Sequence, residues 1–295
     1  MDFISGKNLL DVCQKEGKSI STIMMEREVD HGELSKEEII EKLDTVLSIM
    51  DSSAKTPIAE PRRSIGGLIG GEAKKLDQFR RDKKNLCGDT LSRAIAYSMG
   101  VLEVNATMGL IVAAPTAGSS GIVPGVILAL EETQNLDKET MRRGILNASA
   151  LGYIMMRNAS VSGAEAGCQA EVGAASAMAS SAACEIMGGT PEMCLMAASL
   201  CISNLLGLVC DPIAGLVESP CQARNAIGVA NALTCAELAL AGVTQPIPFD
   251  EMVDAMYTVG KSLPFELRET AMGGCAGTPT GCDLSCRIYG ECSMH

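Results

Sequence analysis

The sequence predicts an all-α protein, and three observations carry that prediction. Of 295 residues 47% are hydrophobic, yet there is no Trp and only four Tyr and four Phe. The core must therefore be built from Ala, Leu, Ile, Val and Met. Such side chains let helix backbones approach closely, whereas sheets lean on β-branched and aromatic residues. Apolar residues recur at helical spacing between recognisable caps. No alternating run is long enough to found a sheet. The expected architecture is a compact multi-helix domain with a buried small-residue central helix and a cysteine-bearing loop between helices. Residues 1–60 read as an N-terminal helical segment and 61–295 as the main helical domain, together one compact unit.

Taken in order, the first fifty residues give short amphipathic helices. Gly17 closes one, Ser19 caps the next and Gly32 ends it. Ser35 and Glu38 form a capping box before Ile39, Leu43, Val46, Leu47 and Met50. Residues 51–64 read as a polar, proline-containing connection. A glycine-rich stretch from Ile65 to Gly71 then leads into a charged helix from about Glu72. Val104 to Leu130 has no charge but holds two prolines, so a loop feeding a helix is expected there. Asp137 caps another helix. Ala, Gly and Ser fill 18 of the 25 positions from 159 to 183, the composition of a helix touched closely on all sides. Thr190-Pro191 and Ser219-Pro220 each place a capping residue before a proline at the first helical position. Helices of about 15 and 22 residues are expected after them. A last helix falls near 250–262, and the tail from Gly273 reads as irregular.

Charge and cysteine usage exclude several classes. A net charge of -12 leaves no basic surface for nucleic acid. The uncharged segment from Met193 to Cys210 is almost long enough to span a membrane. However, Ser199, Ser203 and Asn204 interrupt it and no Lys or Arg flanks it closely, so a buried helix is the better reading. The N-terminus lacks a signal peptide's basic start and apolar run, which makes the cytoplasm the default compartment. There, 13 cysteines stay reduced and serve as metal ligands, nucleophiles or small core residues. The stretch at 66–71 is no P-loop, because Glu72 and Ala73 follow Gly71 where Lys and Ser or Thr are required. With only His31 and His295, a Ser-His or Cys-His hydrolase has little to work with. No Ser-x-Lys-x-Arg pattern supports pyridoxal phosphate.

Two features remain as candidate chemistry. Pro115-Thr-Ala-Gly-Ser-Ser-Gly121 places small residues at a loop-to-helix junction, where backbone N–H groups and the hydroxyls of Thr116, Ser119 and Ser120 suit a carboxylate. The same composition also makes a plain turn. Cys210 and Cys221 bracket a loop between two helices, and Cys168 lies on the small-residue helix. Three thiolates from different elements can hold three irons of a four-iron cluster and leave the fourth open, although spacing alone also allows buried structural thiols. Cys184, Cys194, Cys201 and Cys235 fit the structural role within core helices.

The segments Pro115 to Pro124, Gly167-Cys-Gln-Ala-Glu-Val-Gly173 and Cys210 to Cys221 resemble the alpha portion of iron–sulfur L-serine dehydratases. Gln222 to Asn225, Arg268-Glu-Thr270 and Gly273-Gly274 continue the likeness, which is firmest over residues 60–280. The resemblance implies a [4Fe–4S] cluster on Cys168, Cys210 and Cys221 and a carboxylate site formed by Thr116, Gly118, Ser119, Ser120 and Gly121. It implies L-serine as substrate and a separate beta chain in a hetero-oligomer. Asn105, Arg224 and Asn225 are further candidates for substrate contact. Lys74, after the glycine stretch, is the candidate base, and a base from the beta chain is the alternative. The same scaffold acting on L-cysteine or L-threonine is a second reading, and a non-enzymatic iron–sulfur sensor a third. Cys275, Cys282, Cys286 and Cys292, followed by His295, fall outside the family pattern. Cys282 and Cys286 have a spacing open to zinc or a second cluster, but the default reading is incidental thiols.

Overall fold

In a computed structural model, which describes residues 2–32, 34–82 and 85–290, four of the caps marked in the sequence open the helices assigned to them. Thirteen α-helices follow in chain order: α1 Gly6–Glu16, α2 Ile20–His31, α3 Lys36–Ala59, α4 Glu72–Arg81, α5 Gly88–Ala106, α6 Ile122–Gln134, α7 Lys138–Asn158, α8 Gly163–Ala166, α9 Ala174–Ile186, α10 Pro191–Leu205, α11 Cys221–Leu240, α12 Phe249–Ser262 and α13 Pro279–Tyr289. The side chains of Ser19, Ser35, Asp137 and Thr190 each accept a backbone N–H three residues on, and Ser35 with Glu38 completes the capping box. Gly17 ends α1 in the left-handed region at φ 64°, where a side chain would be strained. There is no strand among the described residues, and Cys210 with Arg268 makes one isolated bridge. Among the same residues, no helix is long and apolar enough to cross a membrane.

Helix α9 is the centre of the packing. Every residue from Ala174 to Glu185 is buried, and α6, α7, α10 and α11 all lie against it. Small side chains permit this approach on every side. Gly152 of α7 leaves room for Met178, and Gly228 of α11 seats Ile122. Around this layer Leu102, Ile127, Leu151, Ile154, Met155 and Ile202 are fully buried, each contributing about 1.5–3 kcal/mol. Polar groups beside α9 are paired. Ser181 donates to Asn147 at 2.6 Å, Asn147 donates to Glu185 at 2.7 Å, and the Ser21 N–H reaches Glu185 at 3.2 Å. Unpaired, each would cost about 1–3 kcal/mol.

Four expectations need correction. Residues 51–59 are not a connection, because α3 runs through Pro57 to Ala59. Ser53, Ala54 and Pro57 are buried there, and Gly100 of α5 packs directly on the Ala54 carbonyl. That burial offsets the hydrogen bond which proline removes. The small-residue stretch is not one helix. It breaks into α8, a π-turn at Gln169–Gly173 and α9, which puts Cys168 just before the π-turn. Ser219 does not cap α11, since its carbonyl accepts the Ile213 N–H at 2.9 Å and so closes the preceding loop. Finally, the tail is helical over α13, where Thr278 caps Gly281 ahead of Pro279.

Candidate active site

Three buried cysteines approach one another where α8, the 210–220 loop and α11 meet. Cys168 owes its place to Gln169, a buried side chain with all its polar atoms used. Gln169 donates to the carbonyls of Ala166 at 3.0 Å and Met256 at 2.9 Å, and accepts from the Gly207 N–H at 2.9 Å. Cys210 is pinned through its backbone. Its N–H donates to Leu267 at 2.9 Å and its carbonyl accepts from Glu269 at 2.6 Å. Cys221 is the first residue of α11. The Cys210 thiol is pushed well above the usual thiol range by its contact with Cys168, then by burial and the charges of Glu171 and Glu269. Burial, with Cys168 and Glu171 nearby, pushes Cys221 up to about 12. Thiols crowded in this way ionise when a cation joins them.

Glu171, on the π-turn, connects the cysteines to the Thr116–Gly121 loop. The Thr116 hydroxyl donates to Glu171 Oε1 at 2.7 Å, and the Cys210 thiol lies 3.8 Å from Oε2. Burial pushes this carboxyl up despite the Thr116 bond. Gly118 and Gly163 face the same carboxylate, and a Cβ on Gly163 would also run into Cys210 Sγ. Asn225, fully buried, braces the other side. Its Nδ2 donates to the carbonyls of Gly118 at 2.8 Å and Cys221 at 2.9 Å, and its Oδ1 accepts from the Gly121 N–H at 3.0 Å. Ser120 donates to the Ala117 carbonyl at 2.7 Å, and Ser119 lies 3.1 Å from the Thr116 hydroxyl. These hydroxyls are occupied in shaping the loop. The N–H groups of Ala117, Gly118 and Ser119 take no protein acceptor among the described residues.

Arg224 stands beside this group with one hand on Asp211 at 2.6 Å and another on the Val209 carbonyl at 2.7 Å. Burial works against its charge, but Cys168 and Asp211 outweigh it and hold Arg224 firmly protonated. Asp211 in turn accepts the Cys275 N–H at 2.6 Å, which ties the start of the tail to the site. The candidates Thr116, Gly118, Ser119, Ser120, Gly121, Arg224, Asn225, Cys168, Cys210 and Cys221 thus fall in one neighbourhood. No hydrogen bond joins the other two candidates, Lys74 and Asn105, to this group among the described residues. Lys74 is exposed and its amine meets the Ala59 carbonyl at 3.4 Å. Asn105, in the last turn of α5, is partly buried and gives its carbonyl to the Met108 N–H at 3.0 Å. Glu171, Asp211 and Glu218 escaped the sequence reading. The signal for Glu171 was an acid inside an otherwise small, uncharged run.

Three thiols with one carboxylate form a soft set. Among the described residues, no three His, Cys, Asp or Glu side chains converge tightly enough to grip one ion. The glycines at 118 and 163 keep the space before Glu171 and Cys210 free of side chains. Cys292 and His295 lie outside the described residues, while Cys275, Cys282 and Cys286 are partly exposed.

Comparison with known proteins gives a consistent answer. Residues 15–276 match the family model described as serine dehydratase alpha chain. A Bacillus subtilis protein named probable L-serine dehydratase, alpha chain, is 46% identical over 98% of this chain and 96% of its own length. The L-serine dehydratase alpha chain of Peptoniphilus asaccharolyticus is 47% identical over 94% of this chain and 95% of its own. An L-serine dehydratase of Helicobacter pylori is 34% identical over 94% of this chain but only 62% of its own length. With nearly its whole length matched, this chain belongs to the serine dehydratase alpha chain family.

Proposed function

We propose that this chain carries the active site of an L-serine dehydratase, converting L-serine to pyruvate and ammonia, with a [4Fe–4S] cluster on Cys168, Cys210 and Cys221. The observation that carries the reading is the meeting of three buried cysteines with a loop whose N–H groups are free. Such a cluster would supply an open iron acting as a Lewis acid on the substrate hydroxyl. The N–H groups of Ala117, Gly118 and Ser119 hold the substrate carboxylate, as anion nests do. Thr116 and Glu171 fix the distance from that loop to Cys210. Asn225 fixes the distance to Cys221. Arg224 offsets negative charge beside Cys168. Loss of the α-proton and the β-hydroxyl gives aminoacrylate, which tautomerises to an imine that water hydrolyses. The base for the α-proton comes from a separate beta chain or from Lys74, whose amine meets the Ala59 carbonyl at 3.4 Å. Alpha and beta chains work as a hetero-oligomer in the cytoplasm.

The test is product formation by the anaerobically prepared alpha and beta pair. L-Serine is expected to yield equal pyruvate and ammonia, faster than L-threonine yields ammonia or L-cysteine yields sulfide. Faster release from L-cysteine would reassign the substrate. An iron-loaded pair inert toward all three would overturn the reading.

A further inference from the structure

The loop between Cys210 and Cys221 turns one apolar side chain, Val217, toward the Thr116–Gly121 loop. The turn is built in two steps. Ala214 at φ 56° and Gly215 at φ 71° reverse the chain. The Tyr289 hydroxyl and the Leu216 N–H steady this bend by donating to the carbonyls of Ala214 at 2.8 Å and Ile213 at 3.1 Å. The Glu218 N–H then donates to the Leu216 carbonyl at 2.7 Å, which makes a γ-turn with Val217 at its apex.

The two residues beside the apex are held on one side. A Cβ on Gly66 would run into Leu216 Cδ1 and Glu218 Oε1, so both side chains lie on the glycine-rich loop. The buried Glu218 carboxylate accepts there from the Ser64 hydroxyl at 2.6 Å and from the N–H groups of Gly66 at 2.7 Å and Leu68 at 2.9 Å. With its neighbours fastened in this way, Val217 faces the opposite side. A Cβ on Gly118 would meet Glu171 Oε1 at 3.3 Å and Val217 Cγ1 at 3.6 Å. Gly163 approaches the same carboxylate from the side of Cys210. The space between the Thr116–Gly121 loop and the cysteines therefore has a polar wall, Glu171, and an apolar one, Val217.

We propose that Val217 sets the substrate range by excluding amino acids branched at the β-carbon, an inference that rests on the L-serine dehydratase reading above. A substrate with its carboxylate on the N–H groups of Ala117, Gly118 and Ser119, and its β-oxygen toward the cysteines, carries its β-carbon past Gly118. In L-serine that carbon bears two hydrogens. L-Threonine replaces one with a methyl group, which is brought against the Glu171 carboxylate or against Val217 Cγ1. The three bonds to Glu218 keep this wall from stepping back, so the crowding is not relieved by a shift of the loop. L-Cysteine, unbranched at the same carbon, passes the same wall. One methyl group against a fixed apolar wall changes kcat/KM by about 10–200-fold.

The test measures kcat/KM for L-serine, L-threonine and L-cysteine with the anaerobic alpha and beta pair, its alpha chain carrying Val217→Ala, Val217→Thr or Leu216→Ala. Ratios between substrates are taken on one preparation, so any inactive fraction cancels. Val217→Ala should raise threonine relative to serine about tenfold or more, and leave cysteine relative to serine within about twofold. Val217→Thr keeps the shape of the wall and should keep the original ratios. Leu216→Ala, on the side of the glycine-rich loop, should keep them too and lose only stability. An unmoved threonine ratio in Val217→Ala, or a rise as large in Val217→Thr or Leu216→Ala, would overturn the role of Val217 and leave the serine reaction in place. So would loss of serine turnover in Val217→Ala, since a smaller wall cannot crowd the smaller substrate. An unchanged pair inert toward serine would instead remove the dehydratase reading, and this inference with it.

Discussion

The buried cysteines of this protein occupy two kinds of place, and the contrast shows what separates packing from chemistry. Cys184, Cys194, Cys201 and Cys235 lie within α9, α10 and α11, fully buried among Ala, Leu and Ile. Cys168, Cys210 and Cys221 lie at element boundaries, just before a π-turn, on a bridge and at a first helical residue. Burial is nearly the same in both sets, so it does not discriminate between them. The backbone and its company do. Regular helix spends most of its N–H and C=O groups on itself, and the thiols inside it find a few neutral partners, as Cys201 does with the Asn231 carbonyl at 3.7 Å and Cys235 with the Asn231 side chain at 3.5 Å. Where the helix is interrupted, Gln169, Asn225 and Glu171 hold the backbone in place, and free N–H groups, a carboxylate and an arginine gather around the sulfur.

The largest expected effect comes from exchanging serine for cysteine in each set. Cys168→Ser, Cys210→Ser or Cys221→Ser should each abolish or destabilise an iron complement of about four per chain and cut serine turnover about a thousandfold or more. Cys184→Ser and Cys235→Ser should retain iron while losing some stability. Iron and sulfide analysis beside urea unfolding separates the outcomes, and iron lost equally from both sets would erase the distinction. A smaller effect should follow from removing one brace in each region. Asn225→Ala and Asn147→Ala should each cost about 2 kcal/mol in urea unfolding, since each leaves buried partners unpaired. Only Asn225→Ala should also raise KM for serine, by about tenfold, because it frees the Thr116–Gly121 loop from α11. An equal rise in both would mean that Asn225 acts through stability alone.

The smallest effect lies at the border between the regions. Gly173 joins the π-turn to α9 with φ -65°, and a Cβ there would meet only ordinary contacts, Leu205 Cβ at 3.8 Å and Met256 Sδ at 4.0 Å. Gly173→Ala should therefore stabilise the chain by about 0.5–1 kcal/mol with iron unchanged. A loss of iron in this variant would show that the turn needs glycine for the cluster rather than for the fold.

The helices were legible in the sequence because capping and apolar spacing are local signals, and Ser19, Ser35, Asp137 and Thr190 announce themselves. What was missed depends on partners distant in sequence. Pro57 reads as a helix breaker until Gly100 is seen beneath Ala54. Ser219 reads as a cap until Ile213 is seen to claim its carbonyl. The cysteine set and the carboxylate loop were named through family likeness, since spacing left core thiols and plain turns open as alternatives. Glu171 stood inside a quoted motif without a role, because its bond to Thr116 joins residues 55 apart. Lys74 follows a glycine-rich stretch whose N–H groups at Gly66 and Leu68 bind Glu218, a pairing that local spacing does not announce.

The Glu218 carboxylate has a consequence for how the molecule comes into being. It receives donors from residues 64 to 68, which precede it by 150 to 154 positions. A growing polypeptide makes those donors early and their acceptor late, so the glycine-rich loop lacks these three bonds until about three quarters of the chain exists. Closure across that separation is slow for entropic reasons. The same event delivers the loop carrying Cys210 and Cys221. Nascent protein therefore completes these bonds of its early loop at the same late stage that brings in Cys210 and Cys221.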